Sequence, residues 1–353
     1  MTFSVDDVRA AVGAGIMDEK QASGLIALAQ TRNDTRGVLP DEDEPFEFFR
    51  GFSEIFVTVG LVLLMGGLVG AFSVVGESVL ISVFGAVICV IFARYFTLRR
   101  RMSLPSIGLA AAFAGFWAIT AAMLIDTGND GLTSLIISLS GMIAMSLYFR
   151  TFKLPFSMFV CGVFGLVACF SLASIISGNE IWDGDFWESL FDLSNNSGFG
   201  FASLIFGILS FVGGMYFDLK DPNRLSRYSA TGFWLHLLAA PALVNTVAFS
   251  PYNMGSSLGY LLTAIALAVI SVLALVIDRR SFLTAGIIYF AILIGLALKE
   301  GIGGDLVPVF ATLIVGAFVT ALGTWWVQIR ARLMDAMPDF AGKNRLPPYT
   351  EMS

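Results

Sequence analysis

The sequence has few charged residues for its length. Asp, Glu, Lys and Arg make up 14% of its 353 residues, and 56% are hydrophobic. A soluble domain carries about a quarter charged residues, whereas a polytopic membrane protein can place this much apolar surface in lipid. Nucleic-acid binding needs clustered cations, so the net charge of −6 argues against a nucleic-acid partner.

Cysteine and histidine are also scarce. The three cysteines, Cys89, Cys161 and Cys169, all fall inside apolar segments, which argues against a disulfide framework and a cysteine zinc site. A single histidine excludes histidine-rich metal sites, so we expect no metal and no cofactor. The polar, acidic N-terminus does not resemble a cleavable signal sequence.

Long apolar segments dominate what remains. Each is about 17–24 residues long, the length needed to cross a bilayer as a helix. They lie at 53–75, 79–97, 106–125, 131–149, 154–177, 199–217, 229–249, 257–276, 282–298 and 307–327. The predicted fold is therefore an all-α, polytopic transmembrane helix bundle of about ten spans. Its boundaries are a head and linker at 1–50, a bundle at 51–328 and a tail at 329–353.

The distribution of Lys and Arg predicts the orientation. With the N-terminus inside, 20 of the 21 basic residues lie on the inside, and only Lys299 lies outside. Such an excess marks the cytoplasmic side of a membrane protein. We therefore expect a plasma (bacterial inner) membrane protein with cytoplasmic N- and C-termini.

The polar residues before the first span indicate a small helical head. Helices are predicted at about 5–14 and 18–30, with Ile16 and Leu25 in their shared apolar seam, followed by an acidic linker at 31–45. A hairpin of this size has too little core to be stable alone. It is expected to pack on the bundle or on a protein partner, unless it is only loosely ordered.

An acidic and aromatic loop at 178–198 separates the first five spans from the last five. Asp185 and Glu188 have the spacing of a capping box, which predicts a helix at about 186–193. Such a helix would place its aromatic side chains in the outer interface. The candidate interface residues are Trp182, Phe186, Trp187 and Phe191. The loop would be either a cap over the bundle or a lid that collects cations.

The turns on the inside share a pattern in which Tyr-Phe closes a span and basic residues and a proline follow. It occurs at 94–106, 147–157 and 215–226. The pattern is compatible with a duplicated hairpin, but it is also what any inside turn favours. An inverted repeat of five plus five spans about the loop at 178–198 remains the alternative.

Two short motifs resemble a known family. The run from Gly15 to Ala22 is similar to the hairpin that opens a bacterial domain-of-unknown-function family of polytopic membrane proteins. The tail pattern Arg332, Pro338 and Leu346-Pro347-Pro348 resembles the ending of such proteins. The resemblance implies a short helical N-terminal head before a bundle of eight or more spans, and it implies no activity.

His236 is the candidate substrate-binding residue. It lies in the seventh span, ~4.5 Å from the midplane, and the other ionisable groups are expected at span ends. Pro241 frees the carbonyl of Leu237, so an imidazole beside it could form a ligand or proton site. The alternative is a neutral histidine that hydrogen-bonds to a neighbouring helix.

Three classes of function remain open. No catalytic motif occurs at a usable place, so we expect no catalytic residues and no enzyme. The first reading is a structural, sensory or assembly component of the membrane. The alternative is a carrier or channel for a neutral or amphiphilic small molecule. The sequence leaves the oligomeric state open.

Overall fold

The computed structural model divides the chain into two compact units, Met1–Pro45 and Phe46–Ser353. In the first unit it describes residues 11, 14, 16, 21 and 25. In the second it describes 52–75, 79–179, 190–193, 198–221, 227–254, 256–282, 286–287, 291, 294–295, 306–340, 342–347 and 349. Regular structure within these residues is helical throughout.

Ten α-helices follow one another in the described part of the second unit. They are α1 Phe52–Val75, α2 Val79–Ala93, α3 Ser103–Leu124, α4 Asp130–Phe152, α5 Phe156–Ser177, α6 Phe199–Asp218, α7 Arg227–Asn253, α8 Ser257–Ile277, α9 Leu306–Thr324 and α10 Trp326–Ala336. A π-helix, Arg94–Arg99, continues α2. Short connections between long helices make the neighbours in the chain antiparallel.

Eight of the helices, α1 to α8, are long and apolar enough to cross a membrane. Together they indicate an integral membrane protein and agree with the first eight predicted spans. The predicted ninth span, 282–298, lies largely outside the described residues. The predicted tenth span corresponds to α9, which ends at Thr324 before a separate helix α10 begins at Trp326. The total of ten spans stays a prediction.

The helices pack around two main apolar cores. One is shared by α1 to α5 and contains Cys89, Phe116 and Met145. The other joins α7 and α8 to α10 and contains Val244 and Trp326. Among the eight membrane-length helices α7 is the most enclosed. In its apolar 18-residue stretch 61% of the residues are buried, against 11% in α1. Helix α7 is therefore central to its core, whereas α1 is peripheral.

The described residues of the head are isolated positions. Ala11, Gln21 and Leu25 are helical, and the rest of the predicted helices at 5–14 and 18–30 lies outside the described residues. Ile16 is 77% exposed and Leu25 44% exposed, so these two side chains do not form the buried seam expected of them. A pair of short helices has too little core to enclose every apolar residue.

Only part of the loop at 178–198 is described, and it packs on the bundle. Residues 190–193 form a turn and bend, so the predicted helix does not extend through them. The Leu190 carbonyl accepts a hydrogen bond from Ser203 Oγ at 2.6 Å, and the Leu193 N–H donates to Ser250 Oγ at 2.9 Å. Phe191 is half-buried. The contacts favour the cap interpretation, while Trp182, Phe186 and Trp187 lie outside the described residues.

Candidate functional site

A buried ion pair lies where α6, α7 and α8 meet. Asp218 ends α6 and is only 8% exposed. Its carboxylate accepts hydrogen bonds from Arg279 Nε at 3.0 Å and from Arg279 Nη2 at 2.5 Å. A carboxylate at a helix C-terminus is disfavoured by the helix dipole. The bidentate guanidinium supplies the opposite charge that this position needs.

Arg279 reaches this position through the turn that ends α8. Asp278 adopts a left-handed conformation, with a φ of 57°, and the Arg279 N–H then donates to the Ala274 carbonyl at 2.9 Å. Arg279 Nη2 also donates to the carbonyl of Ser229 on α7 at 3.1 Å. Since Arg279 is 1% exposed, one buried side chain holds the ends of three helices together.

His236 adds a third hydrogen bond to the same carboxylate. It is fully buried on α7, and its Nε2 lies 2.9 Å from Asp218 Oδ2. An ionised carboxylate only accepts hydrogen bonds, so Nε2 carries the proton in this arrangement. The rings of Phe211 and Phe282 pack against the imidazole at steep interplanar angles, with ring centroids 5.5 and 5.8 Å away. The side chain lies ~6 Å along α7 from the helix middle.

Two glycines make this close approach possible. A Cβ on Gly214 of α6 would lie 2.8 Å from the imidazole of His236. A Cβ on Gly232 of α7 would clash with Asp218 Oδ1. Small residues let membrane helices approach closely, and here they make room for the polar cluster of Asp218, His236 and Arg279.

A second buried polar group joins α8 to α10 and the tail. Trp326 Nε1 donates to Asp278 Oδ1 at 2.6 Å. Arg330, 1% exposed, donates from Nε to the Leu275 carbonyl at 3.0 Å and from Nη2 to the Pro347 carbonyl at 2.7 Å. Helix α10 is a separate helix after α9, and it ends at Ala336, before Pro338. Its Arg330 is buried, and the hydrogen bonds of this side chain link α10 to α8 and to the tail.

Glu54 forms a third buried polar contact, at the start of α1. It is 4% exposed, and its Oε2 accepts from the backbone N–H groups of Ser103 and Leu104 at 3.1 Å each. These are the unsatisfied donors of the first turn of α3. A carboxylate from another helix thus caps α3, with the charge placed favourably for the helix dipole.

Ionisable groups were expected at span ends, and five of the residues there are buried within the protein. Glu54, Asp218, Asp278, Arg279 and Arg330 are all buried. All of them lie at span ends in the sequence, where headgroups or water were the expected partners. They turn inward because oppositely charged side chains, backbone peptide groups and the Trp326 indole form hydrogen bonds with them inside the protein. The paired glycines at 213–214 and Gly232 were the sequence signal that helices come unusually close.

Of the two predicted site residues that the structure describes, His236 and Phe191, His236 belongs to the polar cluster. Pro241 lies inside the continuous helix α7 and is exposed. Among the described residues, no group of three His, Cys, Asp or Glu side chains could hold a metal ion. The cluster is therefore one ion pair with one histidine, a combination suited to joining helices or to holding a proton.

Two apolar cavities lie on the flank formed by α1, α2 and α3. The larger, about 320 Å³, lies between α1 and α3 and is lined by Thr58, Met65, Gly66, Pro105, Gly108 and Gly115, among others. The smaller, about 280 Å³, lies between α2 and α3. Gly66 and Gly115 are exposed, so the larger cavity is a groove that opens on the surface of the bundle.

No family model, no curated protein and no solved structure matches the chain.

Proposed function

We propose that the protein is a non-enzymatic structural, sensory or assembly component of the bacterial inner membrane, with both termini in the cytoplasm. The observation that carries this proposal is the use of buried polar groups as joints between helices. Asp218, His236 and Arg279 join α6, α7 and the end of α8, and Arg330 joins α8, α10 and the tail. Glu54 joins α1 to α3.

The burial of these groups favours a joint over a reaction centre. A catalytic group must reach substrate, and an active site needs converging nucleophiles, acids or metal ligands. His236 and Arg279 are 0% and 1% exposed, and both donate to the same carboxylate. Charges paired in this way fix the relative position of three helices.

The head is the part proposed to contact a protein partner. Ile16 is an apolar side chain that is 77% exposed, and a small head of this kind gains stability by docking. A photocrosslinking residue at Ile16 of the full chain, irradiated in cells, is expected to give a discrete adduct. The same probe at the exposed Arg150 serves as the control. The absence of an Ile16 adduct would contradict the docking role.

A carrier of amphiphilic molecules is the second candidate, and the groove between α1 and α3 favours it. It offers an apolar surface that a lipid-like molecule could enter from the bilayer. In this reading His236 would be the substrate-binding residue. Liposomes that contain the purified chain and a fluorescent phospholipid separate the candidates. The assembly proposal predicts transbilayer movement no faster than in protein-free liposomes, and the carrier predicts faster movement that Gly66→Leu, a change in the groove lining, slows.

The family resemblance of the head and tail motifs stays a proposal from the sequence. The eight helices long enough to cross a membrane support the proposed location. Purification from the inner-membrane fraction of cells that express the full chain tests the location. Recovery in the soluble fraction after carbonate washing would contradict it.

A further inference from the structure

Four arginines gather at the junction of α2 and α3. Arg94, Arg99, Arg100 and Arg101 are all exposed. The π-helix Arg94–Arg99 and the left-handed Arg101, with a φ of 53°, form the turn that carries them. Within the described part of the chain none of them pairs with a carboxylate, and Arg100 donates from Nε to Tyr95 Oη at 3.0 Å. We call these four residues the arginine cluster.

The arginine cluster is fixed at one end of the groove between α1 and α3. Thr97 Oγ1, within the π-helix, donates to Ser106 Oγ on α3 at 2.8 Å. Pro105, the neighbour of Ser106, lines the groove, as does Thr58 of α1. Arg101 precedes α3 by two residues, so its Cα lies at most ~7 Å from that of Ser103. The turn that carries the arginines therefore lies next to the end of the groove that Pro105 lines.

The groove has the length of one leaflet. Its lining on α1 runs from Thr58 to Val69, which is ~16 Å at 1.5 Å per residue. Half of the hydrocarbon core of a bilayer is ~15 Å. Its lining is almost entirely aliphatic and aromatic side chains and glycines, so it can accept a hydrocarbon chain along its whole length.

We infer that the groove and the arginine cluster together bind one anionic phospholipid. Its acyl chain lies in the groove and its phosphate lies at the arginines. Guanidinium groups bind phosphate with directed hydrogen bonds, and basic sites between transmembrane helices bind anionic headgroups. A helix from a second copy would fill the groove, but the described residues of the chain would then give the four cations no counter-charge. The nearby carboxylate of Glu54 does not supply that charge, because it is buried and caps α3.

Two exposed glycines on α1 offer a matched pair of variants. Gly66 lines the groove, whereas its neighbour Gly67 does not. Both glycines are exposed, and a Cβ at either position meets no atom within 4 Å, so a side chain can be started at both without a clash. Leucine at 66 occupies space that the lipid chain needs. Leucine at 67 adds the same hydrophobic volume elsewhere on the helix.

The test measures lipid binding to the delipidated full chain in detergent by native mass spectrometry. Phosphatidylglycerol and phosphatidylcholine with identical acyl chains are titrated separately, and glycerol phosphate is added as a headgroup competitor. The wild type is expected to bind one phosphatidylglycerol in preference to phosphatidylcholine. Combined Arg99→Gln, Arg100→Gln and Arg101→Gln should weaken that binding on the order of 10- to 100-fold. Arg150→Gln, on another inside turn, should leave it unchanged.

The glycine pair keeps the test decisive even if the arginine variant fails to fold. Gly66→Leu should weaken the binding of both lipids, and Gly67→Leu should leave the binding of both unchanged.

Equal binding of the two lipids, or tight phosphatidylglycerol binding that survives Gly66→Leu, would overturn the inference. Displacement of the lipid by equimolar glycerol phosphate would show a headgroup site alone and overturn the role of the groove. A dimer that Gly66→Leu dissociates would assign the groove to a second copy. The inference goes beyond the proposed function and holds for an assembly component and a carrier alike.

Discussion

Asp218 and Arg279 form a bidentate buried ion pair although 61 residues separate them in the sequence. The pair links the C-terminal end of α6 to the turn that follows α8, and Arg279 extends the link to Ser229 at the start of α7. Removal of two charges from water costs several kcal/mol per ion. The bidentate geometry and the additional hydrogen bonds offset that cost.

His236→Leu should destabilise the protein by about 1.5–3 kcal/mol, because it removes a hydrogen bond to a charged group. An ordinary interhelical hydrogen bond in a membrane protein contributes only ~0.6 kcal/mol. Unfolding of wild type and variant in the same detergent gives the difference. A ligand found by thermal-shift screening whose stabilisation is lost in His236→Leu would favour the carrier reading of this residue.

Alanine substitutions at the adjacent glycines Gly213 and Gly214 of α6 should differ in their effect on stability. Gly214→Ala should cost about 1–3 kcal/mol, because its Cβ would press on the buried imidazole of His236. Gly213→Ala should be neutral or stabilising, since its Cβ meets Leu235 Cδ1 at an ordinary 3.5 Å and alanine favours the helix. Thermal unfolding of the two variants in parallel checks the prediction. Equal effects at the two positions would contradict the packing described.

Glu54→Ala should destabilise the protein by about 0.5–2 kcal/mol, the range for loss of a helix cap. The reason is that the N–H groups of Ser103 and Leu104 lose their acceptor in a buried place. Glu54→Gln keeps a carbonyl oxygen and should cost less than Glu54→Ala. Hydrogen exchange at residues 103 and 104 gives a local readout, and unchanged protection in Glu54→Ala would rule out the cap.

The orientation can be tested with reporter fusions. The distribution of basic residues predicts that Ser353 is cytoplasmic and Asn195 external. A reporter pair that is active on opposite sides of the membrane should therefore give opposite signals when fused at the two positions. An external signal at Ser353 would show that the number of spans or the orientation is wrong.

The sequence predicted the helices far better than the site. Runs of about 20 apolar residues have one stable form in lipid, because a helix satisfies every backbone group internally. The bounds of α1 to α8 were therefore predictable to within a few residues. The pairing of Asp218 with Arg279 was not, because hydropathy places both at span ends and carries no information on which way a side chain turns. His236 could be singled out because it is the only histidine in the sequence. Its partner Asp218 could not be predicted, because the pairing depends on how α6 packs against α7.

A double-mutant cycle between Asp218→Leu and Arg279→Leu tests directly whether this cluster is a structural joint between the helices. Each single change leaves one buried charge unpaired and should cost about 3–5 kcal/mol, whereas the double change should cost much less or nothing. Unfolding free energies in one detergent give the coupling, which should be at least about 1.5 kcal/mol, within the range for residues in direct contact. A double variant as unstable as the sum of the two single variants would contradict the joint.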